Sequence, residues 1–265
     1  HEIAENLYVY KTLGIIGKYA SGKTTVLELL SLVYDIFSNF RVKSSLHIFK
    51  YWHETIKLDI SFYHERFLYR YTTDILKDTD SVSDINIIFK NQKLYKRAYK
   101  KSYAKDLFNF SKYEEVNNIR QLPVDTSIIY ELLKDITFRG IYCPSNDILY
   151  RNFANSFNIY KLLEGNKNII TSIIKMFDEH LESIEMVNEN KFKLIYSNKK
   201  DREVSNNELN ELLSSGTVKG FGLFTFVVYS LKYGCDLILD EIENHFHKDL
   251  VENLVRQALE PLFAD

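Results

Sequence analysis

Proline and glycine are scarce in this chain, three and nine among 265 residues. That scarcity argues against long disordered linkers, which are rich in such residues. Cysteine is nearly absent. Cys143 and Cys235 stand far apart and cannot form a secreted disulfide framework, so a reduced, cytoplasmic setting is expected. Neither sign of charge is in excess: the formal net charge is −2. No global field therefore draws the chain to nucleic acid or to a membrane, and any such binding must come from a local patch. Long apolar runs are missing as well. The longest, residues 221–231, is too short to span a bilayer and is interrupted by Gly222 and Thr225; no signal peptide is visible and no membrane is expected. Aromatic residues are the abundant class, with 19 Tyr and 18 Phe. Alongside frequent Lys, Asn and Ile, they read as a compositional bias and not as a cofactor box. The length suits one large domain or two small ones, with room for a substantial core.

Hydrophobic spacing predicts the elements. Residues 7–16 form an apolar run ending at Gly17, which reads as a buried strand. Val26, Leu29, Leu30, Val33 and Phe37 recur at helical spacing, predicting a helix over about 22–37. Alternation at Leu58, Ile60 and Phe62, and again at Ile85, Ile87 and Phe89, predicts antiparallel strands within 46–110. Residues 111–189 read as mostly helical, the clearest helix carrying Ile169, Ile170, Ile173, Ile174, Phe177 and Leu181 on one face. Phe192, Leu194 and Tyr196 suggest a strand. A helix over about 216–233, weakened by Gly220 and Gly222, leads to an apolar strand at 237–239. A last helix carries Leu250, Val251, Leu254, Val255, Ala258, Leu259 and Leu262.

Two motifs carry chemistry. Gly17, Lys18, Tyr19, Ala20, Ser21, Gly22, Lys23 and Thr24, with Thr25 following, make a complete Walker A loop between a predicted strand and a predicted helix. Its glycines let backbone N–H groups curl toward phosphates, and the helix N-terminus adds partial positive charge. Lys23 would reach the β- and γ-phosphates of ATP, and Thr24 would give its hydroxyl to Mg2+. The second motif is the apolar strand 237–239 ending in Asp240 and Glu241. Asp240 would hold the same Mg2+, and Glu241 would polarise the attacking water. Upstream, Leu213 precedes Ser214, Ser215, Gly216 and Thr217, where a serine can cap the following helix and Gly216 admits a phosphate.

Other patterns weigh less. Asn198 to Asp201 spell the Asn-Lys-x-Asp pattern of guanine readers, yet none of the nine glycines has an Asp three residues before it, as a GTPase turn requires. A lysine-rich turn is the preferred meaning. Lys90, Lys93, Lys96, Arg97, Lys100, Lys101 and Lys105 form a basic run with no acid between them, interleaved with Tyr95, Tyr99 and Tyr103. Such a run fits nucleic acid, an acidic protein partner or, most often, a solvated edge. His245 and His247 lie two residues apart and do not share a helix face, so no zinc is expected.

On residues 17–30, 213–217 and 237–247 the chain resembles ABC-type ATPase heads of the RecF, SMC and OLD kind, above all those of bacterial abortive-infection and antiphage systems such as Septu, PARIS and some retrons. The resemblance implies an α/β P-loop fold. Residues 1–45 and 190–265 would form the nucleotide core, 46–110 an antiparallel β insertion and 111–189 a helical lobe. It makes Glu241 and Lys23 the catalytic residues. Ser214, Ser215, Gly216 and Thr217 become a signature loop that acts on the nucleotide of a second protomer, and Asn244 to His247 the D-loop region. A homodimer or higher oligomer closed by ATP follows, with an effector protein, a nuclease or toxin, as partner. Such heads carry a further strand and a switch histidine, for which no counterpart is expected before Asp265. Gln92 and Gln121 are the candidates for their Q-loop. The expected function is ATP binding and hydrolysis in a defence sensor. The alternatives are a non-hydrolysing ATP-bound scaffold and a DNA repair ATPase, the latter without the sustained heptads of coiled-coil arms.

Overall fold

The computed structural model describes residues 2–5, 7–10, 12–39, 42–44, 48–49, 55–77, 85–100, 104–117, 122–133, 140–144, 167–188, 190–242, 248 and 251–252. The chain divides into two compact units, His1–Gly140 and Ile141–Asp265.

The first unit opens with β1 (Glu2–Ala4) and β2 (Leu7–Tyr8), an antiparallel pair, followed by α1 (Lys23–Ser38). Then come β3 (Lys43–Ser44), β4 (Ile56–His64), β5 (Phe67–Lys77), β6 (Ile85–Ala98), α2 (Ala104–Leu107), β7 (Glu114–Glu115) and α3 (Ile128–Leu133). The sheet order is β3-β6-β5-β4, with β7 also paired to β6. Glu65 and Arg66 link β4 to β5 with φ of 45° and 67°, the mirror-image two-residue turn that matches the natural twist of paired strands. Alternation then sets the faces. Ile56, Leu58, Ile60 and Phe62 face the same side as the buried Tyr69, Tyr71 and Ile75, while Lys57, Asp59 and Ser61 face water. Helix α1 contributes Leu32, Ile36 and Phe37 to that core. The Phe37 ring meets Phe62 edge-on at 5.2 Å, and Phe62 stacks on Tyr69 at 5.1 Å.

The second unit contains β8 (Gly140–Cys143), which starts at the boundary, α4 (Lys167–Lys175), β9 (Leu181–Asn188), β10 (Lys191–Tyr196) and β11 (Arg202–Ser205). Helices α5 (Asn206–Leu212) and α6 (Ser215–Tyr233) and strand β12 (Asp236–Leu239) follow. The strands form an antiparallel sheet β11-β10-β9 and a separate pair β12-β8. Helix α6 is buried nearly all round, so it is a core helix whose apolar composition comes from packing. The glycines that weaken its helix propensity have a packing reason at Gly220, where a Cβ would collide with the Phe177 ring. No single helix among the described residues is long and apolar enough to cross a membrane.

Three expectations are corrected. The buried strand over 7–16 is confined to Leu7–Tyr8, and residues 12–17 have no regular structure; Leu13 and Ile16 are exposed. Apolar content alone does not make a strand, and β1 is the partner of β2 among the described residues. The helix drawn through Leu181 stops at Lys175. Phe177 and Asp178 both donate their N–H groups to Ile174 O, the Asp178 carboxylate accepts from His180 N, and Leu181 opens β9. Asp178 thus offers the chain a turn in place of another helical residue. The described part of 111–189 is therefore mixed, with β7, β8 and β9 beside α3 and α4. The last predicted helix lies outside the described residues except at 251–252.

Candidate functional site

The loop at 17–25 is held by its own backbone. Ser21 N–H donates to Lys18 O at 3.3 Å, closing a turn in which Ala20 has φ 59°. Gly22 takes φ 85° at the start of α1, a conformation that favours glycine. A Cβ on Gly17 would come within 2.6 Å of Ser21 Oγ, so a larger residue there would force that hydroxyl to turn away. The Lys23 ammonium folds back into the loop and donates to Gly17 O at 3.0 Å and Lys18 O at 3.2 Å. Lys18, Tyr19, Ala20, Ser21, Thr24 and Thr25 are exposed. No side chain caps α1 at Gly22, and its first turn carries no acid. A sixteen-residue helix thus points its uncapped positive end at a glycine turn that carries Lys18 and Lys23. That arrangement suits an anion.

Three other helix starts are closed by side chains. At α5, Ser205 and Glu208 form a reciprocal capping box, which holds the Glu208 carboxyl below its ordinary pKa. At α3, Ser127 Oγ accepts from Ile129 N and Gln92 Oε1 from Ile128 N. At α6, Ser214 Oγ accepts from Thr217 N at 3.0 Å and lies 2.8 Å from Thr217 Oγ1. Ser214 and Ser215 are exposed, Gly216 half-buried and Thr217 buried. A serine cap of this kind is worth about 1 kcal/mol to its helix.

In the second unit, Asp240 continues the β12-β8 pairing by donating its N–H to Cys143 O at 3.1 Å. Asp240 is buried, only 6% exposed, directly beyond an apolar strand. Glu241 follows at φ 50°, half-buried. Among the described residues five non-glycines have positive φ. Glu65 and Arg66 form the β4–β5 turn, and Asn91 lies where the β5–β6 register shifts. The remaining two, Ala20 and Glu241, fall in the loop at 17–25 and at the end of β12. Ala20 is a corner of the Lys18–Ser21 turn, and Glu241 lies just past the strand; left-handed backbone at a non-glycine costs about 1–3 kcal/mol and collects at functional sites.

Several sequence candidates have ordinary structural roles. Gln92 is committed to the core: its Oε1 accepts from Tyr71 Oη at 2.7 Å and from Ile128 N, and its Nε2 donates to Thr126 O. Residues 198–201 connect the hairpin strands β10 and β11, with Asp201 paired to Lys193 at 2.9 Å. The basic run meets acids in space that it lacks in sequence. Arg97 and Lys112 both bind the Asp106 carboxylate, at 2.9 and 2.7 Å, and hold its pKa below the ordinary value, Lys112 first. Glu114 and Glu115 pair across from Lys96 and Tyr95. Gln121, Lys101, Tyr103, Asn244, His245 and His247 lie outside the described residues. Nothing in the spacing of the motif foretold the position of the Tyr19 ring, 5.8 Å from the Lys23 ammonium.

A family model described as "AAA domain, putative AbiEii toxin, Type IV TA system" matches residues 13–262. No curated protein matches the chain.

Proposed function

The chain belongs to this AAA-domain family of P-loop ATPases related to abortive-infection systems, and from that premise we propose that it binds ATP with Mg2+ at residues 17–25, hydrolyses it and dimerises through the bound nucleotide. The observation that carries this reading is the start of α1: an uncapped helix end without acid, closed by a glycine turn around Lys23. Lys23 serves the β- and γ-phosphates. Thr24 and Asp240 supply hard oxygen donors of the kind Mg2+ takes. Glu241 polarises water, and the left-handed backbone at Glu241 supports a positional demand there.

The ABC-type reading of the OLD, RecF and SMC kind assigns Ser214, Ser215, Gly216 and Thr217 to the nucleotide of a second protomer. In its support, Ser214 is exposed at the N-terminus of the nineteen-residue helix α6. The terminal phosphate would then join two copies, and its loss on hydrolysis would release them. The setting is a defence complex in which this chain governs an effector such as a nuclease or toxin. Binding of nucleic acid through Lys90–Lys105 is less favoured, because Asp106, Glu114 and Glu115 lie among those cations.

Mixing two variants tests the composite site. Ser214→Arg should bind ATP yet neither associate nor turn over, and Lys23→Ala should stay empty at ATP concentrations that fill Ser214→Arg. A mixed dimer keeps one site with both residues intact, so partial recovery of ATPase activity is expected. No recovery, with both variants folded and the parent dimeric, would overturn the shared site.

A further inference from the structure

We propose that Tyr19 is a positioning residue of the phosphate loop, its ring holding the Lys23 ammonium at the mouth of the loop; this rests on the nucleotide reading above. Lys18 to Ser21 form a turn closed by the Ser21 N–H to Lys18 O bond, and Tyr19 takes its first corner. The second corner, Ala20, is left-handed, a place where turns of this shape ordinarily carry glycine. A corner residue is pushed outward, and Tyr19 is 87% exposed. Even so, its ring is not turned away: the centroid stands 5.8 Å from Lys23 Nζ. An aromatic face at that range attracts an ammonium through its quadrupole.

The ammonium is thus approached by two carbonyls, Gly17 O and Lys18 O, and by one aromatic face. The three contacts differ in what they cost a ligand. A lysine has three N–H donors, and each carbonyl occupies one that a phosphate oxygen would need. The ring occupies none, because the attraction is to the charge as a whole. Tyr19 can therefore keep the cation in place while its donors turn from the carbonyls to phosphate. The hydroxyl has no part in this; the ring face has.

The experiment measures the Kd for MgATP in Tyr19→Phe, Tyr19→Trp and Tyr19→Leu, with thermal unfolding of each. Exposure of the side chain predicts unchanged unfolding temperatures. Phe should bind as the parent does and Trp at least as tightly. Leu, apolar but without a quadrupole, should bind roughly two- to fivefold more weakly, the range for an exposed cation–aromatic contact. Leu binding as tightly as Tyr would overturn the proposal, and so would Phe binding as weakly as Leu, which would assign the effect to the hydroxyl. A folded parent that binds no MgATP would overturn the nucleotide reading itself, with this proposal; a binding parent with an indifferent Leu variant overturns the ring alone.

Discussion

Two helix starts in the first unit receive opposite treatment. At α3, Ser127, Gln92 and Tyr71 close the N-terminus with a chain of side-chain hydrogen bonds: Ser127 Oγ donates to Tyr71 Oη, which donates to Gln92 Oε1, which also accepts from Ile128 N. Burial raises the Tyr71 pKa to about 12. At α1, Gly22 brings no side chain at all, and the nearby cation is parked on carbonyls of its own loop. The first arrangement is complete without a ligand. The second has its charge and its N–H groups at the surface, held by contacts that a phosphate can outbid. The contrast separates a polar group that builds the fold from one that waits for a partner, and it does so where the residue types alone do not.

Crossed substitutions at the two helix starts should therefore show opposite phenotypes. Lys23→Ala should weaken MgATP binding by roughly a hundredfold, the upper end for hydrogen bonds to charged groups, without lowering the unfolding temperature. Gln92→Leu should cost about 2–4 kcal/mol in denaturant unfolding, since it strands buried partners at Tyr71, Ile128 and Thr126, while the folded protein binds ATP as before. A loss of ATP affinity in Gln92→Leu at unchanged stability would return Gln92 to the nucleotide site and break the contrast.

A smaller effect belongs to Asp35, further along α1, whose pKa burial raises from the ordinary 3.8 to about 6. The folded chain then holds this proton more tightly than the unfolded one, so the stabilisation is complete below pH 4 and is lost as pH rises through 6. Asp35→Asn should remove that pH dependence and gain about 1–2 kcal/mol at pH 7.5, allowing for partial exposure of the group. Equal stability of the variant and the parent at pH 7.5 would show that water reaches Asp35 after all.

Much of this was legible in the sequence where the signal is local. The helix 23–38 follows from spaced apolar residues, and β4 and the start of β6 from strict alternation. The helix 215–233 and the strand just before Asp240 fall where expected. Leu181 was misread because helical spacing continues into it, while the break depends on what the Asp178 carboxylate binds. The run 7–16 was misread because burial depends on a neighbour that no spacing names. In the candidate site, the residue types at 17–25, 214–217 and 240–241 were readable as motifs. Left-handed backbone at Ala20 and Glu241, the cap formed by Ser214 and the ring of Tyr19 over Lys23 were not, because each is a geometric relation that composition leaves open. The acids facing the basic run were hidden for the same reason: strand pairing brings Glu114 opposite Lys96, eighteen residues earlier in the chain.

The central claim, that this chain turns ATP over with Glu241 as its base, is tested most directly by Glu241→Gln. The amide keeps the shape of the carboxylate and cannot take a proton. The account predicts ATP affinity within about twofold of the parent and turnover reduced roughly a hundredfold or more, within the range for loss of a general base. Turnover equal to the parent's, at equal ATP occupancy, would contradict it.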